Sequence, residues 1–177
     1  MSDWKIGPSR ELLHTFIWDV LETEKEMPNG KKGRFVSLKA PNWCTAVVRN
    51  AETNKFIMVR EFRHGVNKWV YEFPCGTLEE NETPESAVLR EVSEETGYRH
   101  GRIVQKLFTG NPNAAFMSNR MNGYFVEVHG AREAQHLDST EFLDVVEVSN
   151  PEDYFDDETS ITCQLAWAKH VSFSREK

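Results

Sequence analysis

The chain has 177 residues, 39% of them hydrophobic and 28% charged, with 28 acidic against 21 basic side chains and a net charge of −7. That size supports one domain with at most a small appendage, and this composition excludes disordered and fibrous classes. No apolar run approaches the ~18 residues of a membrane span, the charged start lacks the apolar stretch of a signal peptide, and the acidic balance opposes non-specific nucleic-acid binding; a soluble, unprocessed protein with neither membrane nor nucleic acid as partner is expected.

Taken in chain order, residues 15–23 are rich in aromatic and β-branched side chains, and Met27-Pro28-Asn29-Gly30 is a turn signal before residues 33–38, which predicts a hairpin. Short apolar runs at 44–49 and 56–62 flank the polar stretch 50–54 and predict a second hairpin, with a further strand at 69–73. Between Thr83 and Thr96 the pattern turns helical. Residues 103–108, 123–128 and 142–148 predict strands, and 160–170 a closing helix. Strands dominate the first half and helices interrupt the second, so a mixed sheet covered by helices is expected. Cys44, Cys75 and Cys163 are odd in number and far apart. They indicate neither a disulfide framework nor a zinc site and fit a reducing, cytoplasmic compartment. The six histidines do not pair at metal-ligand spacing, and glycine-rich dinucleotide or P-loop patterns are absent.

The helix is the most strongly specified element. Thr83 offers a side-chain oxygen to the first turn, Pro84 suits the first helical position, and Gly97 supplies a left-handed stop. At ~100° per residue, Glu91, Glu94 and Glu95 share one face, while Val88, Leu89 and Val92 gather on another. A solvated acidic surface is one reading of that carboxylate face. The other is a cation site, because no lysine stands at the matching positions to relieve the repulsion. Oxygen-only ligation suits Mg²⁺ or Mn²⁺ shared with a substrate phosphate.

The stretch Gly76-Thr77-Leu78-Glu79-Glu80-Asn81-Glu82, seven further residues, and then Arg90-Glu91-Val92-Ser93-Glu94-Glu95-Thr96-Gly97-Tyr98 resembles the Nudix box, G-x5-E-x7-R-E-U-x-E-E-x-G-U, at every fixed position. Tyr98 stands where an aliphatic residue is usual. The resemblance implies a hydrolase that splits a diphosphate linked to another moiety, with an α/β fold: a Nudix α/β/α sandwich with a mixed central sheet at 41–177, preceded by an antiparallel β segment at 1–40. It also implies Glu91 and Glu95 as main metal ligands, Glu94 assisting or holding a further ion, and the Cys75 carbonyl completing a site for Mg²⁺, with Mn²⁺ as the alternative. Arg90 would orient these carboxylates by charge-assisted hydrogen bonds, Glu82 would fix the loop, and Gly76 and Gly97 would serve backbone geometry.

Outside the box, Val59-Arg60-Glu61-Phe62-Arg63-His64-Gly65-Val66 and Tyr71-Glu72-Phe73-Pro74-Cys75-Gly76 are similar to the ADP-ribose and nucleoside-diphosphate-sugar pyrophosphatases. Phe73 and Cys75 depart from that subgroup's Leu-Pro-Ala-Gly, and Arg120 in Ser118-Asn119-Arg120 replaces its glutamate. By this resemblance the substrate is a nucleotide sugar such as ADP-ribose, cleaved to a nucleoside monophosphate and a sugar phosphate. Glu141, in the acidic stretch 137–143, is the candidate base. Arg60 and Arg63 are candidates for gripping phosphate or ribose, because guanidinium presents a rigid fork to such oxygens; Glu72 is a candidate for orienting the metal site or recognising substrate. Trp43, or an aromatic of the amino-terminal hairpin, is a candidate for stacking on a base. The subgroup also implies a homodimer built through the amino-terminal segment. Alternatives are GDP-mannose, a dinucleoside polyphosphate or a nucleoside triphosphate as substrate, or a non-catalytic ADP-ribose sensor. A sensor has no chemical need for every box carboxylate. From Glu72 to Glu95 there are eight glutamates against Arg90 alone, an excess of seven that equals the charge of the whole chain.

Overall fold

The structure, a computed structural model, describes residues 3–175. They fall into two units, residues 3–42 with 111–120, and residues 43–110 with 121–175.

In the first unit, strands β1 (Lys5–His14), β2 (Asp19–Glu26) and β3 (Lys32–Lys39) form an antiparallel sheet in that order. The expected hairpin is β2–β3. Its turn closes through the Gly30 N–H on the Met27 carbonyl at 2.9 Å, with Gly30 at φ +81°, a conformation that favours glycine. Residues 15–18 are not strand, as their β-branched and aromatic content predicts, but the turn joining β1 to β2. Thr15 Oγ1 accepts the Trp18 N–H at 2.9 Å and donates to the Trp18 carbonyl at 2.6 Å, a local hydroxyl–backbone turn that competes with the ladder. Strand β1 carries no sequence signal, since all ten of its residues are exposed and no buried stripe imposes alternation. Pro8, which cannot donate to a ladder, lies where the β1–β2 register slips between Ile6 and Ser9. Ile6, Leu13, Phe16, Ile17, Trp18 and Val36 leave much apolar surface open in this unit. The Leu38 N–H donates to the Phe116 carbonyl at 2.7 Å, which ties segment 111–120 to β3.

The second unit holds β4 (Trp43–Asn50), β5 (Phe56–Arg63), β6 (Lys68–Glu72), β7 (Cys75–Thr77), helix α1 (Pro84–Thr96), β8 (Gly101–Gly110), β9 (Met121–Val128), β10 (Leu143–Val148), a short 3-10 helix at Pro151–Tyr154 and helix α2 (Ile161–Arg175). The sheet runs β10-β5-β4-β9-β8, with β4 parallel to β9 and the other pairs antiparallel. The mixed sheet and its covering helices agree with the expected class. The β4–β5 hairpin stays paired only at Val48–Ile57 and Arg49–Phe56 before it forks, and the fork is filled by β6 on β5 and β7 on β4. Pro74 bridges these two short strands; its carbonyl accepts the Ala46 N–H at 3.0 Å and the Thr45 hydroxyl at 3.2 Å. Strand β7 is three residues long, below what periodicity can register.

Helix α1 buries Ala87, Val88 and Val92 against Ile57, Tyr124 and Val126. Helix α2 buries Cys163, Ala166 and Trp167 against Val47, Met58, Phe73 and Phe125 on the other face. The adjacent residues Ile57 and Met58 therefore face opposite helices, as strand alternation requires. Tyr98 suits its unusual place in the box because its hydroxyl is satisfied: it donates to Glu147 at 2.8 Å and accepts from Asn50 at 3.2 Å. A buried tyrosine hydroxyl needs such partners. Among the described residues no helix is long and apolar enough to cross a membrane.

Candidate active site

The box lies on β7, the loop after it and α1. Helix α1 begins as the sequence predicts, with Thr83 accepting the Ser86 N–H at 3.2 Å, the Thr83 N–H donating back to Ser86 Oγ at 3.2 Å, and Pro84 in the first turn. It ends at Gly97, whose φ is +78° and whose N–H donates to the Ser93 carbonyl at 3.0 Å. Because both ends are pinned, the carboxylates of the last turns project from a fixed backbone.

Arg90 organises those carboxylates. Its guanidinium makes a bidentate pair with Glu82, Nε at 3.1 Å and Nη2 at 3.0 Å; Nη1 donates to Glu91 at 2.9 Å and Glu94 at 3.0 Å, and Nη2 also reaches the Thr77 carbonyl at 2.9 Å. Glu82 in turn accepts the Glu79 N–H at 3.0 Å, so the loop is fastened at both ends of one ion pair. Arg90 holds Glu82 below the usual carboxylate range, chiefly through that hydrogen bond.

Glu91 and Glu95 are in the opposite condition. Burial pushes the Glu91 carboxyl up to about 7, with Arg90 opposing and Glu94 and Glu141 adding to the rise. Burial pushes Glu95, 4% exposed, well above its ordinary value, with Glu91 and Glu61 adding and Arg63 opposing. The Cys75 N–H donates to Glu95 Oε2 at 3.3 Å. A carboxylate charged in such a place needs a cation. The approach of Glu91 to β7 depends on Gly76: a Cβ there would lie 2.0 Å from Glu91 Oε1, so only glycine leaves that carboxylate its place.

A second ionic group lies beside this one. Arg63 donates from Nε to Glu72 at 2.7 Å, from Nη1 to Glu61 at 3.1 Å and from Nη2 to Cys75 Sγ at 3.2 Å. Glu72 is buried, and burial raises the Glu61 carboxyl while Arg63 opposes the rise. Glu61 carries no role in the sequence reading, although strand alternation puts it on the same face as Arg63. Glu141 Oε2 accepts the Asp138 N–H at 3.1 Å, and its charge acts on Glu61, Glu91 and Glu95. The structure thus brings Cys75, Arg90, Glu91, Glu94 and Glu95 together, with Arg63, Glu72, Glu61 and Glu141 alongside. Arg60 is set apart from this group. It occupies the other face of β5, where it pairs with Asp144 at 3.4 Å and stacks over Trp69 at 4.5 Å.

The donors are carboxylate and carbonyl oxygens, which fits a hard divalent cation. Among the described residues only Glu11, His14 and Asp19, on the strands that flank the β1–β2 turn, form a metal-sized cluster, with one ligand atom from each within 4.8 Å of the others.

Comparison with known proteins agrees with this geometry. The NUDIX domain profile matches residues 39–165. The chain is 33% identical over 134 residues to the ADP-ribose pyrophosphatase of Bacillus subtilis (strain 168), covering 75% of this chain and 71% of that one. It is 49% identical over 102 residues to the ADP-sugar pyrophosphatase of Mus musculus, covering 51% and 47%. The crystal structure of an ADP compounds hydrolase superposes with a TM-score of 0.79 at 17% identity, over 99% of this chain and 96% of that chain, which establishes a shared fold. With the profile spanning most of the chain and a complete box seated on its loop and helix, the chain belongs to the Nudix family of hydrolases.

Proposed function

We propose that the protein hydrolyses the diphosphate of ADP-ribose or a related ADP-sugar in the presence of Mg²⁺, giving AMP and a sugar phosphate. The observation that carries this reading is the seating of the α1 carboxylates at β7: Glu91 and Glu94 share Arg90, Glu91 lies against Gly76, and buried Glu95 accepts the Cys75 N–H. Glu91, Glu94, Glu95 and the Cys75 carbonyl are the groups that would hold Mg²⁺, with Mn²⁺ the alternative. Bound there, such an ion neutralises diphosphate oxygens and acidifies water.

The chain supplies the rest. Arg90 relieves the repulsion between Glu91 and Glu94 by donating to both and fastens the loop through Glu82. Glu141 takes the proton of the attacking water. Arg63, pre-set by Glu72 and Glu61, offers to the phosphate or terminal ribose the guanidinium N–H that Glu72, Glu61 and Cys75 leave over, so Glu72 acts on substrate through Arg63. The Arg60 contacts with Asp144 and Trp69 favour a structural role instead. The Bacillus and mouse relatives are named for ADP-linked substrates, and these names support an ADP-sugar as the first substrate to try. Three free cysteines fit a cytoplasmic setting. The exposed apolar residues of the amino-terminal unit support a homodimer assembled there; light scattering that finds a monomer at working concentration would remove it.

The deciding experiment incubates purified protein and Mg²⁺ with a panel of diphosphates, identifying products by mass. AMP and ribose 5-phosphate from ADP-ribose are expected. Faster turnover of a non-adenosine diphosphate would overturn the substrate, and no turnover of any of them would overturn the activity.

A further inference from the structure

Strand β5 carries two different sets of residues. Glu61 and Arg63 point toward the carboxylate site, and Arg60 and Phe62 point to the opposite face. On that opposite face Phe62 stands across from Trp69 of β6, with ring centroids 5.8 Å apart, and Arg60 stands across from Asp144 of β10. Phe142, just before β10, sets its ring edge-on to Trp69 at 6.0 Å although 69% of the residue is exposed. Trp69 is therefore bracketed by Phe142, Phe62 and the Arg60 guanidinium, and Arg60 is tied back to β10 through Asp144.

Phe142 is also the neighbour of Glu141. Glu141 ends the turn that precedes β10, its N–H donating to the Asp138 carbonyl at 3.0 Å, and Leu143, the first residue of β10, pairs with Glu61. The strand's alternation, carried back two residues from Leu143, sets Glu141 on the Glu61 side and Phe142 on the other. If Phe142 lies on the Trp69 side, Glu141 is turned to the side of Glu61, Glu91 and Glu95, whose carboxyls feel its charge. The seating of the Phe142 ring and the backbone position of Glu141 are thereby coupled, and the Glu141 carboxylate is held in addition by the Asp138 N–H at 3.1 Å.

We propose that Phe142 docked on Trp69, backed by Arg60 and Asp144, is a clasp that aims Glu141 into the carboxylate site, which makes Phe142 a positioning residue for the proton transfer. The proposal rests on the reading of Glu141 as the base. The clasp acts on the rate of the chemical step and leaves substrate affinity alone, since none of its members belongs to the groups that hold phosphate or metal.

The test measures kcat and KM for ADP-ribose at saturating Mg²⁺ in wild type, Phe142→Ala, Glu141→Gln and the double variant, with melting curves to confirm folding. Glu141→Gln is expected to lower kcat by about 10²-fold or more. Phe142→Ala is expected to lower kcat by about tenfold, as a misaimed group does, with KM within about twofold and no further loss when added to Glu141→Gln. Phe142→Trp restores most of the rate. Trp69→Leu repeats the cycle from the other ring. A full-rate Phe142→Ala beside a slow Glu141→Gln overturns the clasp alone, as does an equal loss in the Glu141→Gln background. A wild type that forms no AMP, or a Glu141→Gln variant at full rate, overturns the reading beneath it and the clasp with it.

Discussion

Replacing Glu91 by Gln should make the metal-free protein more stable while abolishing its activity. The Glu91 side chain is 12% exposed and its carboxyl sits near 7, against 4.5 ordinarily. A carboxyl raised by folding contributes stability that is complete below its unfolded value and is lost as pH rises through its folded value. At about 1.4 kcal/mol per tenfold change in proton affinity, charging Glu91 at pH 8 costs the fold at most about 3 kcal/mol. Glutamine has the same shape, keeps the oxygen that accepts from Arg90, and never ionises. In chelator at pH 8, Glu91→Gln should therefore melt above wild type by about 5 °C or more, given the ~2–4 °C per kcal/mol of a chain this size. The gap should shrink as pH falls from 7 toward 4.5 and close near pH 4. Adding Mg²⁺ should raise the wild-type melting temperature and leave the variant behind, while turnover of the variant falls below detection. A variant that melts at or below wild type in chelator at pH 8, or a gap that does not change with pH, would refute the reasoning.

Other outcomes follow from single contacts. Gly76→Ala places a methyl 2.0 Å from a flexible carboxylate end that can swing away; thermal melts should move by only a few degrees, whereas kcat should fall by about 10²-fold because Glu91 has left its position. Arg90→Lys substitutes a point charge for a fork that serves Glu82, Glu91, Glu94 and the Thr77 carbonyl at once, so a Mg²⁺ titration of the rate should show weaker apparent affinity and about a tenfold lower maximum. His170 is buried among Phe56, Phe125 and Trp167 with Nδ1 unpartnered, and burial, reinforced by Arg49, pushes it down to about 4. A histidine lowered in this way contributes stability that is present above 6.5 and is lost as pH falls toward 4. Urea unfolding should therefore show His170→Phe spared about 2 kcal/mol of the loss that wild type suffers between pH 7 and pH 5, and equal losses in the two proteins would exclude that role.

The parts of the site legible in the sequence were those specified locally. Thr83, Pro84 and Gly97 bound α1 through contacts within a few residues, and Glu91, Glu94 and Glu95 share a face because helical geometry alone decides it. Arg60 and Arg63 show where local information stops. They are the same residue type three positions apart on one strand, and which of them meets the carboxylates depends on which face of the sheet receives α1. That is decided by packing at Ile57 and Met58. The place of Glu61 beside the carboxylates is hidden from the sequence for the same reason. Strand β1 was illegible because its exposed residues answer to no buried face, and residues 15–18 misled because β-branched and aromatic content outweighs a single threonine hydroxyl turn in any composition-based reading.

Strand β5 behaves like a text written in two interleaved frames. One frame spells Glu61 and Arg63 for the helix that bears the carboxylates, and the other spells Arg60 and Phe62 for the ring cluster behind it. Substitutions edit one letter of one frame and leave the other intact, so each face can drift on its own. A single inserted or deleted residue upstream of Arg60 would exchange the frames, turning a guanidinium and a phenyl ring toward the carboxylates and two ion-pairing groups toward Trp69. Divergence among proteins built this way should change the composition of β5 freely and its length scarcely at all.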